Sequence, residues 1–120
     1  MPTEQMYLKG GELNAAITSA IVGIQTEHLG RGPTSASTIH SDQMVTVIMR
    51  EVMTPAERAL VRSGEKRAVT NMRQLLQEAM EVDFRAAIER LTGRKVLAFV
   101  SGNHVDPDIA VETFILDRPV

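Results

Sequence analysis

Cysteine and tryptophan are absent from this chain of 120 residues, and aromatic residues make up 3% of it. Without cysteine there is no disulfide, no thiolate zinc site and no cysteine nucleophile. With so few aromatic side chains, the chain lacks the stacking surface typical of proteins that bind single-stranded nucleic acid. A net charge of −2 also argues against nucleic-acid binding. The core is therefore expected to consist of isoleucine, leucine, valine and the seven methionines.

Long apolar runs are missing as well. No segment approaches the roughly 18 apolar residues that a membrane span requires. Residues 1–11 are polar and lack the apolar stretch of a signal peptide. Hydrophobic residues make up 43% of the chain and charged residues 23%, the balance of an ordinary globular protein. We expect one cytoplasmic domain over residues 1–120, with an N-terminal tail at 1–10 and no insertion into a membrane.

The spacing of apolar residues predicts seven elements. Steps of three and four residues predict helices over 11–29, 55–62 and 65–91. Runs rich in β-branched residues predict strands over 35–40, 44–53, 95–102 and 109–116. The order α-β-β-α-α-β-β predicts a two-layer α+β fold, with a four-stranded antiparallel sheet and helices on one face. Because residues 96–100 are all apolar, we expect the third strand to be central and buried on both faces.

Three local signals set the helix ends. Thr54-Pro55-Ala56-Glu57 predicts a capping box, in which Thr54 and Glu57 each bond the other's backbone N–H. Pro55 then occupies the first helical position, where its missing N–H costs nothing. Gly30 and Gly93 are placed to end the first and third helices in the left-handed conformation.

The third helix carries more apolar surface than one sheet contact needs. Its first apolar line is Val69, Met72, Leu76, Met80, Phe84, Ile88 and Leu91, and a second line, Leu75, Ala79, Val82 and Ala86, lies beside it. Such a surface is commonly covered by a twofold helix–helix contact, so the second line predicts a homodimer interface. The alternative is that another helix of the same chain covers it.

Gly30-Arg31-Gly32-Pro33 is the most distinctive tetrapeptide of the chain. It could form an anion pocket, with Gly30 and Gly32 exposing backbone N–H groups and Arg31 adding a cation. A helix C-cap followed by a turn explains the same residues and is the favoured interpretation. Asn103 and His104, which follow the predicted third strand, are further ligand-binding candidates.

The sequence gives little support for a metal site or a catalytic site. His40-Ser41-Asp42 and His104-Val105-Asp106 each place His-x-Asp near a predicted turn. Two convergent turns could bind a transition metal, but turn chemistry explains the aspartates more simply. Ser101 and His104 should point to opposite faces of a strand, which excludes a nucleophile–base pair. We expect no enzyme activity, no metal and no cofactor.

Gly30-Arg31-Gly32-Pro33, Thr54-Pro55-Ala56-Glu57 and the segment Thr92-Gly93-Arg94-Lys95-Val96 carry a resemblance to a known family. From Gly11 to Asp117 the chain resembles the bacterial MpsC-like family, which is described as a component of the sodium-translocating, membrane-potential-generating system. The resemblance implies an accessory or regulatory protein linked to a membrane ion or bicarbonate transport system, with a membrane-transport protein as partner. The alternative is a small module that binds an anion or a nucleotide through residues 30–33.

Overall fold

The computed structural model describes residues 6–120; the first five residues of the expected tail lie outside this range. The helices are α1 (Gly10–Leu29), α2 (Pro55–Arg62) and α3 (Lys66–Thr92). The strands are β1 (Ser35–Ser41), β2 (Met44–Arg50), β3 (Val96–His104) and β4 (Ile109–Leu116). The predicted order α-β-β-α-α-β-β is confirmed.

The four strands form one antiparallel sheet in the order β1-β2-β4-β3. The predicted α+β fold is therefore confirmed, but β3 was wrongly predicted to be central. It is an edge strand, and Leu97 and Val100 are exposed on it. An apolar run does not require burial on both faces here, because the open face of the sheet also carries exposed apolar residues, among them Ile39 and Val100.

The core lies between the sheet and the helices α1 and α3. Its fully buried members include Leu13, Ile17 and Ile21 of α1, Val45, Val47 and Met49 of β2, Met80, Phe84 and Ile88 of α3, and Phe114 and Leu116 of β4. The three phenylalanines cluster: the ring centroids of Phe99 and Phe114 are 5.0 Å apart, and that of Phe84 is 5.9 Å from Phe99. As expected, aliphatic residues fill most of the remaining space.

The predicted helix ends are confirmed. Thr54 and Glu57 form the reciprocal capping box, with Pro55 in the first turn of α2. Gly30 and Gly93 both adopt the left-handed conformation, with φ angles of 78° and 66°, and each backbone N–H closes the last turn of its helix.

Helix α3 extends beyond the sheet, since 27 residues give a length of about 40 Å. Helix α2 packs against its N-terminal half, and a second apolar cluster of Met53, Val69 and Val105 forms there. The Arg73 guanidinium bonds both carboxylate oxygens of Glu57, at 2.6 and 2.7 Å, and the backbone oxygen of Val52 at 2.8 Å. Both charged side chains are buried, so this ion pair holds α2 on α3.

The buried line of α3 differs from the predicted one in this N-terminal half. Met72 is exposed, whereas Arg73 and Gln77 are buried in the line that continues through Met80, Phe84 and Ile88. Arg73 is neutralised by its partner Glu57, which hydropathy along α3 alone does not show. The prediction for Met72 was therefore wrong, and two polar residues take its place.

We predict that Arg73→Met lowers the free energy of unfolding by about 3–5 kcal/mol, because it leaves the Glu57 carboxylate buried and unpaired. Urea denaturation measures the change. Arg85→Met is the matched control on the same helix: it breaks the partly exposed Arg85–Glu81 pair, which is worth about 1 kcal/mol or less. Equal losses in the two variants would contradict the role given to Arg73.

Candidate functional site

Glu112 is a carboxylic acid on the core face of the sheet. Together with the buried residues Ala110, Phe114 and Leu116 it occupies every second position of β4, and only 1% of its surface is exposed. Its neighbour across the β3–β4 ladder is Ser101. Residues two apart on a strand share a face, so Glu112 is directed towards α3 with the core residues.

The Glu112 carboxylate has few partners for a buried acid. Gln77 of α3 donates a long hydrogen bond of 3.4 Å to Oε1. The Ser101 hydroxyl is near enough to favour the ionised form, but it does not reach hydrogen-bond geometry. Among the described residues, neither Ser101 Oγ nor Glu112 Oε2 has a hydrogen-bond partner, although both atoms are buried. Unsatisfied buried polar atoms are costly and call for a physical explanation.

Burial raises the pKa of the Glu112 carboxyl from 4.5 to about 7. The removal of the carboxylate from water is the dominant cause, because it penalises the charged form. Ser101, Gln77 and the positive charge of Arg73 act in the opposite direction, but they do not outweigh burial. Near neutral pH, Glu112 therefore exists as a mixture of the protonated and ionised forms.

A groove of about 440 Å³ opens beside this carboxyl, between α3 and β3. Ser101 and Gln77, which both adjoin Glu112, form part of its wall. The complete lining is Thr70, Gln74, Gln77, Glu78, Glu81, Phe99, Ser101, Gly102 and Asn103. The volume falls in the range typical of small-molecule sites, about 300–1,000 Å³.

The charge of the groove is negative. Its lining contains the carboxylates of Glu78 and Glu81 and no lysine or arginine. Glu81 accepts a 2.7 Å hydrogen bond from Arg85, which offsets its charge. Glu78 has no ion-pair partner in the part of the chain that the structure describes. The walls offer amide and hydroxyl groups in addition to these acids, so the groove suits a ligand that donates hydrogen bonds.

No motif in the sequence indicates that Glu112, Gln77 and Ser101 are parts of one site. A signal for Glu112 was present: the alternation in β4 places it on the same face as Ala110, Phe114 and Leu116. The position of Gln77 required the buried line of α3, which was predicted incorrectly at this end.

The predicted ligand-binding loop lies elsewhere. The Arg31 side chain donates to the backbone oxygens of Met53 at 3.0 Å, Glu51 at 3.3 Å and Gly32 at 3.4 Å. These contacts fasten the end of α1 to the segment between β2 and α2. Gly30 is the helix C-cap, and a Cβ at Gly32 would lie 2.9 Å from Thr26 Oγ1. The structure thus gives residues 30–32 a role in the fold; anion binding there stays a prediction.

Asn103, His104 and Arg31 do not come together in one site. Asn103 lines the groove, whereas His104 is exposed, with Nδ1 2.8 Å from the backbone oxygen of Pro107. No hydrogen bond joins Arg31 to either residue among residues 6–120. Of the predicted ligand-binding residues, Asn103 is the one that shares the groove with Ser101.

The two His-x-Asp turns do not converge. His40 lies beside the β1–β2 turn and His104 beside the β3–β4 turn, and the register puts these turns at opposite ends of the sheet. Within the described residues, no group of three or more histidine, aspartate or glutamate side chains is arranged to hold a metal. The carboxylate of Asp108, which ends the β3–β4 turn, accepts instead from the distant Met53 backbone N–H at 2.9 Å.

The second apolar line of α3 lies on the surface. Leu75 is 66% exposed and Val82 is 75% exposed, and Ala79 and Ala86 are exposed between and beyond them. The alternative that α1 or α2 covers this line is therefore wrong. These four residues are called the α3 outer line below.

We predict that Glu112→Gln stabilises the protein increasingly as the pH rises. The pKa of Glu112 in the folded chain, about 7, exceeds the ordinary value of 4.5. Between pH 4.5 and pH 7, the folded chain therefore keeps a proton on Glu112 that the unfolded chain has lost. Wild-type stability therefore falls as the pH rises through this window. Between about pH 5 and pH 8, the free energy of unfolding of the variant should gain about 2–3 kcal/mol relative to wild type.

Urea denaturation of both proteins across this pH range measures the difference. Glu27→Gln, an exposed change on α1, is the control, and its difference from wild type should stay constant. A constant difference for Glu112→Gln would show that the carboxyl has an ordinary pKa.

None of the helices within residues 6–120 combines the length and hydrophobicity needed to cross a membrane. In sequence comparisons, the chain is 29% identical over 92 residues to the "Uncharacterized protein YbcI" of Bacillus subtilis (strain 168), an alignment that covers 74% of this chain and 73% of that protein. No solved structure matches the chain significantly. Residues 9–118 match the family described as "Na+-translocating membrane potential-generating system (MpsC)". The expected resemblance is confirmed, and the chain belongs to the MpsC family.

Proposed function

We propose that this chain is a cytoplasmic, non-enzymatic accessory or regulatory protein that acts through protein–protein contacts and is linked to a membrane ion or bicarbonate transport system. The link to a membrane system is supported by the description of the family. The α3 outer line is the observation that carries the contact role. It is an apolar surface on a long helix, and nothing in the described residues covers it.

The α3 outer line is suited to a second copy of the same chain. Leu75 and Val82 are two turns apart and provide apolar contact area, while Ala79 and Ala86 are small enough for two helices to approach closely. A twofold axis through this line would bury the same residues from both copies. We therefore propose a homodimer as the unit that contacts the transport protein.

We predict that light scattering after size-exclusion chromatography gives a mass of about twice 13.2 kDa for the wild type. Val82→Asp should shift the mass to that of one chain, because it places a charge in the apolar contact. Circular dichroism should show an unchanged fold, since Val82 is 75% exposed in the monomer.

Val100→Asp is the matched control. Val100 is also an exposed valine, but it lies on the edge strand β3 rather than on α3. This variant should remain a dimer. A wild-type mass of 13.2 kDa, or a dimer that only Val100→Asp dissociates, would contradict the proposed interface.

We predict that deletion of the gene in its native cell lowers the membrane potential, measured with a potential-sensitive dye. Wild-type protein and Val100→Asp should restore the potential, whereas Val82→Asp should not. An unchanged potential after deletion would contradict the link to the transport system. Full restoration by Val82→Asp would contradict a role for the α3 outer line.

A further inference from the structure

We propose that the groove between α3 and β3 binds a small organic cation with a protonated amine, held by Glu78 and Ser101, with the buried carboxyl of Glu112 behind Ser101. This site is separate from the α3 outer line. It rests on the cavity, on two unsatisfied buried oxygen atoms behind its wall and on the sign of its charge.

The two unsatisfied atoms point to a hydrogen-bond donor from outside the chain. Ser101 is the cross-strand neighbour of Glu112 and also lines the groove. A serine hydroxyl can donate one hydrogen bond and accept another. If its proton is directed to Glu112 Oε2, its lone pair is free to accept from a ligand N–H. One bound donor would then order the hydroxyl and satisfy both Ser101 Oγ and Glu112 Oε2.

The charge of the groove selects a cation. Glu78 contributes a carboxylate without an ion-pair partner in the described chain, and the groove lining contains no basic residue. Behind the wall, Arg73 is the cation that acts on Glu112, and both of its bonds to a carboxylate go to Glu57. An anion would meet Glu78 and Glu81 in the groove lining, which contains no free cation to offset them, so anionic ligands are disfavoured.

The remaining lining favours an organic cation over a metal ion. Phe99 forms part of the wall and offers apolar surface against which methylene groups can pack. Gln74, Gln77 and Asn103 supply amide oxygens along the groove. Its volume of about 440 Å³ is large for a bare ion and accommodates an aliphatic amine.

Isothermal titration calorimetry with putrescine dihydrochloride tests the proposal, in a buffer at about pH 8 in which sodium chloride sets the ionic strength. At this pH Glu112 is mostly ionised and the amine is still protonated. We expect one putrescine per chain. Glu78→Gln should weaken binding roughly tenfold, the usual effect of losing one charged hydrogen bond. Glu112→Gln should also weaken it, because it removes the negative charge behind Ser101. Ser101→Ala should weaken it as well.

Glu27→Gln on α1 is the matched control and should bind like wild type. Glu78 is exposed, so its variant keeps the test valid if a change at buried Glu112 alters the fold. In NMR spectra, the backbone amide chemical shifts of residues 99–103 should change when putrescine is added. The proposal would be overturned if putrescine did not bind, or if all variants bound it with equal affinity. It would also be overturned if sodium ions displaced putrescine at an equal concentration.

Discussion

The buried ion pair between Glu57 and Arg73 is the interaction on which this structure depends. Without it, the N-terminal half of α3 would extend beyond the sheet with a charged residue on its inner face. The same Glu57 carboxylate accepts a hydrogen bond from the Thr54 backbone N–H at 2.9 Å, so it caps α2 and also neutralises the charge of Arg73 on α3. One side chain thus fixes the start of one helix and the position of another. Removal of either partner leaves a buried charge, which is the costly outcome for such pairs.

This use of Glu57 has consequences for the groove. Because Arg73 is committed to Glu57, it lowers the pKa of Glu112 only in part, and burial keeps that pKa near 7. The C-terminal half of α3 packs on the phenylalanine cluster, whereas the N-terminal half, which contains Arg73, places Gln77 over the polar end of β3 and β4. The groove therefore lies where the apolar contact between α3 and the sheet gives way to polar residues, and its wall is formed by hydrogen-bonding groups.

The sequence was sufficient to predict most of the fold and little of this site. Capping signals and apolar spacing act within one element, which explains why Thr54, Glu57, Gly30 and Gly93 were placed correctly. The edge position of β3 depends on which strands pair in the sheet. Its apolar run does not distinguish an edge strand from a central strand. The groove required Gln77, Ser101 and Glu112 from three elements, and their proximity follows from the strand register and from a salt bridge between two helices.

The most direct test of this account is a carbon-13 NMR titration of the Glu112 side-chain carboxyl in the folded wild-type protein. The measurement reports the ionisation of that carboxyl alone, free of contributions from the other acids. We expect a midpoint near pH 7, because the carboxyl is buried on the core face of β4 beside a groove whose lining supplies no cation. A midpoint near the ordinary value of 4.5 would show that Glu112 is hydrated or fully paired, and would contradict the account.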